Sequence, residues 1–284
     1  MTEVPVILYL HIPKTGGTTL NSCIYEHWHA PGEYYVDADG FLHSGIYYFP
    51  IGFFQEPGQA LPDPIGGVLA RPDLRAVLGH FSFGIHERLA MPWTYVTILR
   101  SPVERVWSLY NHIYRRGHRA SVVDFMKDAP YIEVDNDQTR RISGVAADFS
   151  RCTRTMLERA KNNLRNHFSV VGVTERFDET LLLMKRRFKW TGSISYYPKN
   201  ENPEKPATST LASDDLSAIL DRNELDQELY GFANELLDEA AAREGPGFQQ
   251  ELKAFVTGRE EWYRQLEQQW SAHSGKHGHH APRS

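Results

Sequence analysis

Residues 4–20 read VPVILYLHIPKTGGTTL, and this pattern predicts the type of fold. Its first nine residues are apolar apart from His11 and rich in β-branched and aromatic side chains, which predicts one fully buried strand. Pro13 ends strand pairing, and Gly16 and Gly17 allow the backbone to turn sharply. Apolar residues then recur at helical spacing, which predicts a helix directly after the glycines.

A strand, a glycine turn and a helix N-terminus together form a geometry that binds anions. Backbone N–H groups and the positive end of the helix dipole converge on one place, where a phosphate fits. Lys14 adds a positive charge, and the hydroxyls of Thr15, Thr18 and Thr19 add donors. The simpler alternative is an ordinary strand–helix turn with an exposed lysine. The residue order also differs from the usual P-loop, in which Lys and Ser/Thr follow the last glycine, so the hydroxyl that binds magnesium has no assigned place.

Composition limits the class of protein. The 284 residues suffice for one large α/β domain or two small ones, and 41% hydrophobic with 24% charged residues is ordinary for a globular protein. The net charge of −5 argues against a nucleic acid as partner. Cys23 and Cys152 are too few for a disulfide framework or a metal cluster. The apolar run near the N-terminus is too short for a signal peptide or membrane span, so we expect a cytoplasmic protein. Because no metal-ligand cluster is apparent, we also expect no bound metal. The oligomeric state is left open.

Three further apolar runs predict buried strands, at residues 75–80, 94–99 and 168–173. Helical patterns alternate with them, which indicates an α/β fold with a central parallel sheet flanked by helices. In such sheets ligands bind beyond the carboxyl ends of the strands. The predicted strands bring these residues to that edge: Lys14, His80, Arg100 and Thr174-Glu175.

A helix is predicted from residue 101 to about 116. It begins with SPVE, where serine is the N-cap, proline the first helical residue and glutamate completes a capping box. Arg105, Ser108 and His112 fall opposite the apolar face, and a solvated surface accounts for Arg105 and His112. Arg100 ends a buried strand where this helix begins, which favours a second anion site.

The remaining segments are predicted with less detail. Residues 34–74 are rich in aromatics and form either a small core or a wall or lid for an acceptor; Asp39-Gly40 is a turn signal. Residues 198–213 form a loop. Helices resume from 214 to about 270, with a break near 245–247. We expect one domain over residues 1–270 and a disordered, histidine-containing tail at 271–284.

Two motifs together, PKTGGTT at 13–19 and LRSPVERVWSLY at 99–110, resemble the sulfotransferases that use 3′-phosphoadenosine 5′-phosphosulfate (PAPS). The resemblance is closest to the branch with heparan sulfate 2-O-sulfotransferase and related bacterial proteins. It continues through LGHFSFG, NDQTRRISG and VGVTERFDE and extends weakly to ELYGFANELL.

The resemblance implies roles for the matching residues. His80 would be the catalytic base, and Arg140 in NDQTRRISG would contact the acceptor. The loop around 199–210 would close over the nucleotide. Residues implied to bind the 5′-phosphosulfate are Lys14, Thr15, Gly16, Gly17, Thr18 and Thr19, and those implied to bind the 3′-phosphate are Arg100 and Ser108.

The predicted function is therefore transfer of a sulfuryl group from PAPS to an acceptor hydroxyl, with a carbohydrate as first choice. His80 would take the hydroxyl proton while Lys14 stabilises the charge on the leaving phosphate. Two alternatives are a magnesium-dependent phosphotransferase or nucleotide hydrolase on the same strand–loop–helix, and a non-catalytic module that binds a nucleotide or glycan.

Overall fold

The structure is a computed structural model, and it describes residues 5–28, 41–43, 45–49, 60, 63–113, 121–128, 132–192, 194, 196 and 207–277. Parts of several predicted segments lie outside these residues. They include most of residues 34–62 with Asp39-Gly40, the end of the predicted helix at 114–116, the loop at 197–206, and the last seven residues of the chain.

A six-stranded sheet forms the centre, in the order β2-β3-β4-β1-β5-β6. Five adjacent strands of this order, β3-β4-β1-β5-β6, run parallel to one another, and β2 pairs antiparallel with β3 at one edge. The strands are β1 (Val6–Leu10), β2 (Phe41–His43), β3 (Ile46–Tyr48), β4 (Ala76–Gly79), β5 (Trp93–Leu99) and β6 (Phe168–Val173).

The strand β1 lies between β4 and β5 in the middle of the sheet, and all five of its residues are at most 2% exposed. A strand covered on both faces has no polar side to present, which explains its continuous apolar sequence. Leu10 pairs with Gly79 on one side and with Thr97 on the other. The four strands predicted from the sequence and their parallel arrangement are confirmed.

Helices cover the sheet, and α6, α7 and α9 pack against β6. A second, smaller core forms where α3, α4 and α8 meet. Within the described residues the helices are α1 (Gly17–Trp28), α2 (Asp63–Leu69), α3 (Pro102–Ile113), α4 (Val122–Asp128), α5 (Asp137–Ser143), α6 (Arg154–His167), α7 (Phe177–Arg187), α8 (Ser213–Arg222), α9 (Glu224–Arg243) and α10 (Phe248–His277). The predicted fold class, an α/β protein with a P-loop-like strand–loop–helix and C-terminal helices, is confirmed.

Two peripheral predictions concern segments that the structure describes in part, and both stay predictions. The helix α10 continues to His277 and so extends into the segment predicted to be a disordered tail. In the 34–74 segment, predicted to be a small core or an acceptor wall or lid, three aromatic residues are buried. Tyr47, Tyr48 and Phe49 are at most 4% exposed and belong to the main core, with Phe49 packed against Phe81 at a ring distance of 5.4 Å.

Within the described part of the chain, no helix combines the length and the apolar composition that a membrane crossing requires.

Candidate active site

The loop between β1 and α1 lies at the carboxyl end of the sheet. Lys14 has a φ of 70° and Gly16 a φ of 81°, both in the left-handed region. This conformation is costly for a lysine and easy for a glycine, so the surrounding structure must hold Lys14 in place. The helix α1 begins at Gly17, and its first N–H groups are directed toward the loop. The predicted strand–loop–helix geometry is therefore present.

Side chains that directly follow β5 and β6 hold the carbonyl groups of this loop. Arg100 donates from Nη1 to the Lys14 carbonyl at 3.1 Å, and the Thr174 hydroxyl donates to the Thr15 carbonyl at 2.9 Å. Carbonyl oxygens repel anions, so engaging them in this way favours the N–H groups as the anion-binding groups. The Thr15 hydroxyl donates to the Ile12 carbonyl at 2.9 Å. In this structure the one proton of the Thr15 hydroxyl therefore closes the loop, and its predicted role as a donor to an anion stays a prediction.

The remaining predicted hydroxyls differ in exposure. Thr18 is partly exposed at the start of α1, whereas Thr19 is only 5% exposed. Ser108 is partly exposed in α3, one turn beyond Glu104 and on the same face of that helix. Thr18 and Ser108 are therefore the hydroxyls of this group that a ligand can reach.

His11 fills the space beneath the amino end of α1. A Cβ added to Gly17 would lie 2.0 Å from the His11 ring, so this position requires glycine because of close approach. The His11 ring also stacks on Tyr9 at 5.4 Å and packs against His80 at 4.3 Å between ring centroids. Burial is the main reason that the pKa of His11 lies well below its usual value, and proton uptake by the neighbouring His80 ring and the charges of Arg141 and Lys14 act in the same direction. The ring is therefore neutral near pH 7.

His80 directly follows β4 and faces the same loop. Its Nδ1 lies 2.8 Å from the His11 carbonyl oxygen, which can only accept, so Nδ1 carries the proton and Nε2 carries the lone pair. Burial and the charge of Arg141 lower the pKa of His80 to about 4, although the Asp137 carboxylate acts in the opposite direction. The imidazole is thus neutral at physiological pH and held in one tautomer, which is the state of a base ready to accept a proton.

Arg100 lies between the loop and α3. Besides its bond to the Lys14 carbonyl, it donates from Nη2 to Glu104 at 3.2 Å. Among the described residues, its buried Nε has no hydrogen-bond acceptor. This guanidinium can therefore bind an anion, which would compete with the Glu104 carboxylate for it. The same carboxylate also accepts a hydrogen bond from the Thr208 hydroxyl at 2.6 Å.

A carboxylate of the protein itself occupies the amino end of α3. The Ser101 N–H donates to Glu175 at 3.2 Å, and the Tyr230 hydroxyl donates to the second oxygen of Glu175 at 3.1 Å. The second anion site predicted here consequently depends on the Arg100 side chain and not on the helix N-terminus.

The helix α5 is buried along its whole length, and this corrects two predictions. Arg140 is 1% exposed and donates to the backbone carbonyls of Ile132 and Asp135, so it stabilises the interior and does not present its side chain to an acceptor. Arg105 was expected on a solvated face of α3, but it is 0% exposed and lies 3.7 Å from Asp137.

The charges around α5 balance one another. Burial alone would raise the pKa of Asp137, but the nearby Arg141, Arg105 and Arg140 outweigh burial and lower it. Burial raises the pKa of Asp226 in α9, and Arg105, 4.0 Å away, opposes that rise. Buried arginines in this setting need their carboxylates, because an unpaired buried charge is strongly destabilising.

Sequence reasoning missed Gln138 as part of the site. This α5 residue is 0% exposed and makes two hydrogen bonds to the backbone of Arg100. The local sequence around Gln138 does not indicate this role, because its hydrogen bonds go to Arg100, which lies far away in the sequence. His11, by contrast, can be recognised in the sequence as the one polar residue of the apolar run at residues 4–12.

The fold and the site together define a class of protein: an α/β protein whose strand–loop–helix has the geometry of an anion site next to a neutral histidine. Within the described ranges, no group of three or more His, Cys, Asp or Glu side chains is placed to hold a metal ion.

Comparison with known proteins finds relatives of the chain. The chain is 24% identical over 289 residues to human heparan-sulfate 6-O-sulfotransferase 1, covering 82% of this chain and 66% of that protein. It is 26% identical over 266 residues to human heparan sulfate 2-O-sulfotransferase 1, covering 82% and 70%. The match thus spans just under two thirds of the first of these relatives. A crystal structure of the mouse sulfotransferase SULT7A1 complexed with PAP matches at 12% identity and a TM-score of 0.35, over 80% of this chain and 66% of that chain. No protein-family profile matches the chain.

Homologues of the chain therefore include heparan sulfate 2-O- and 6-O-sulfotransferases. The family resemblance predicted from the paired motifs is confirmed.

Proposed function

We propose that the protein transfers the sulfuryl group of PAPS to a hydroxyl group of a carbohydrate acceptor. The observation that carries the proposal is the pairing of an anion-binding loop with a neutral histidine at the same edge of the sheet. His11 joins the two, because its carbonyl accepts from His80 while its ring packs beneath Gly17, where α1 begins. The names of the two curated relatives support the carbohydrate as the class of acceptor.

His80 acts as the base in this proposal. Its Nε2 accepts the proton of the acceptor hydroxyl as that oxygen attacks the sulfur, and the His11 carbonyl steadies the imidazolium through Nδ1–H. A folded-state pKa of about 4 keeps the base unprotonated at neutral pH, at the cost of a weaker driving force for accepting the proton. The developing negative charge nearby favours the protonated ring and offsets part of this cost.

The loop and Arg100 bind the donor. Lys14 and the N–H groups at the start of α1 stabilise negative charge on the 5′-phosphate as the sulfuryl group leaves. Arg100 and Ser108 hold the 3′-phosphate, for which Arg100 has a buried Nε that lacks an acceptor among the described residues. Bound PAPS supplies the sulfuryl group, and the protein supplies orientation, charge stabilisation and the proton acceptor.

Calorimetric titration with 3′-phosphoadenosine 5′-phosphate (PAP), without divalent metal, tests the donor site. We expect binding by the unaltered protein and a loss of about tenfold or more in Arg100→Ala, since charge-assisted hydrogen bonds are lost. ATP with magnesium is the parallel titrant. Preference for ATP with magnesium would instead support a phosphotransferase.

Transfer from labelled PAPS to a panel of desulfated glycans tests the reaction. His80→Asn is the informative variant, because the asparagine amide can still donate to the His11 carbonyl but cannot take up a proton. We expect this variant to bind PAP normally and to lose transfer by about 100-fold or more, the range that general base catalysis supplies. Transfer at a near-normal rate would contradict the assignment of the base.

Two further properties stay predictions. Metal-independent turnover is tested by transfer in the presence of a chelator. A cytoplasmic location is tested by fractionation of the cells that produce the protein.

A further inference from the structure

Gln138 pairs with the backbone of Arg100 at the point where the sheet ends. The Arg100 N–H donates to Gln138 Oε1 at 2.9 Å, and Gln138 Nε2 donates to the Arg100 carbonyl at 3.0 Å. A side-chain amide thus makes the two bonds that a neighbouring strand would make to a residue in an antiparallel ladder. Arg100 directly follows β5, so this pairing sets its backbone where regular pairing stops.

The pairing has a rigid support. Gln138 is 0% exposed, and its own backbone N–H donates to Asp226 at 3.1 Å, while the Thr139 N–H donates to the other oxygen of that carboxylate at 2.7 Å. Asp226 is itself 0% exposed in α9. The amino end of α5 is therefore anchored to α9, and the side chain of Gln138 extends from that anchor to Arg100.

The side chain of Arg100 continues this path to the anion-binding loop. Its Nη1 donates to the carbonyl of Lys14, the residue held at a φ of 70°. A displacement of the Arg100 backbone would move the guanidinium and release the loop from that conformation. Gln138 touches neither Lys14 nor the loop in any contact described, so its influence on the loop passes through Arg100.

We propose that Gln138 is a positioning residue that sets the donor site through Arg100. The proposal deepens the proposed function and rests on it for the identity of the ligand, but the effect on the loop is a property of the protein alone. It predicts that Gln138 and Arg100 act as one unit: removing the pairing weakens anion binding only while the arginine is present.

The experiment compares Gln138→Leu with Asn163→Leu as matched control. Asn163 is also a buried amide bonded to α5, through the carbonyls of Ile142 and Ser143, but at the opposite end of that helix. PAP binding is titrated in both variants, in Arg100→Ala and in the double variant Arg100→Ala with Gln138→Leu. Amide hydrogen exchange at Arg100 and residues 14–18 is measured without ligand.

We expect Gln138→Leu to weaken PAP binding by about tenfold, as the loss of two hydrogen bonds implies, and to have no further effect once Arg100 is alanine. Exchange at Arg100 and in the loop should rise in Gln138→Leu and stay unchanged in Asn163→Leu. Equal effects of the two leucine variants, or an undiminished effect in the Arg100→Ala background, would overturn the proposal. If the unaltered protein does not bind PAP, the proposed function is wrong, and the exchange comparison still decides the role of Gln138.

Discussion

The pH dependence of stability reports directly on the environment of His80. Burial and Arg141 lower its folded-state pKa from 6.5 to about 4. Between these two pH values the unfolded chain binds a proton at His80 that the folded protein does not. The contribution of His80 to the free energy of unfolding is therefore complete above pH 6.5 and falls as the pH drops toward 4. Across this pH range the free energy of unfolding falls by on the order of 3 kcal/mol, of which about 2 kcal/mol is lost by about pH 5.

Urea unfolding of the wild-type protein and of His80→Asn, at about pH 7.5 and about pH 5, measures this contribution. His11 also has a lowered pKa and acts in the same direction, so the quantity of interest is the difference between the two proteins at each pH. We expect the wild-type protein to lose about 2 kcal/mol more than the variant between these conditions. Parallel loss in both proteins would refute the inference that His80 is held neutral by its surroundings.

Three further predictions follow from the contacts of the site. Gly17→Ala should destabilise the fold by about 1–3 kcal/mol in thermal unfolding, because its Cβ would overlap the His11 ring, and His11→Ala should relieve most of that cost in the double variant. Lys14→Gly and Lys14→Ala should both lose PAP binding in calorimetry, but the glycine variant should be the more stable of the two by about 1 kcal/mol, because glycine accepts the positive φ. Asp226→Ala should lower the free energy of unfolding in urea by about 3–5 kcal/mol, because it removes a carboxylate near the buried charge of Arg105 and the acceptor that anchors α5. A loss below about 1 kcal/mol would contradict the view that this buried carboxylate is needed.

The sequence predicts the framework of the site well, because periodicity and glycine placement are local properties. The run at residues 4–12 and the following glycines specify β1, its turn and α1 without reference to the rest of the chain. The order of strands and helices then implies a parallel sheet, and that topology brings Lys14, His80 and Arg100 to one edge.

The electrostatic details depend on packing and cannot be predicted in this way. Arg105 has the spacing of a solvated residue, yet α5 and α9 cover it and supply its carboxylates. The same applies to Arg140, whose position in a polar motif suggests a surface. Polar sequence patterns indicate exposure only on average, and a buried network of matched charges is the exception that a local pattern does not reveal.

The anchor of α5 on Asp226 also has a consequence for the order in which the protein matures. The bonds from Gln138 and Thr139 to Asp226 span 88 and 87 positions of the chain, and Asn136 likewise accepts from the backbone of Leu225. Strands β1, β4, β5 and β6 are all synthesised before α9. During translation the sheet can therefore assemble early, while the residues that steady Arg100 gain their support only after the ribosome has passed residue 226. A nascent chain paused before that point would carry the sheet, but Arg100 would lack the support of α9.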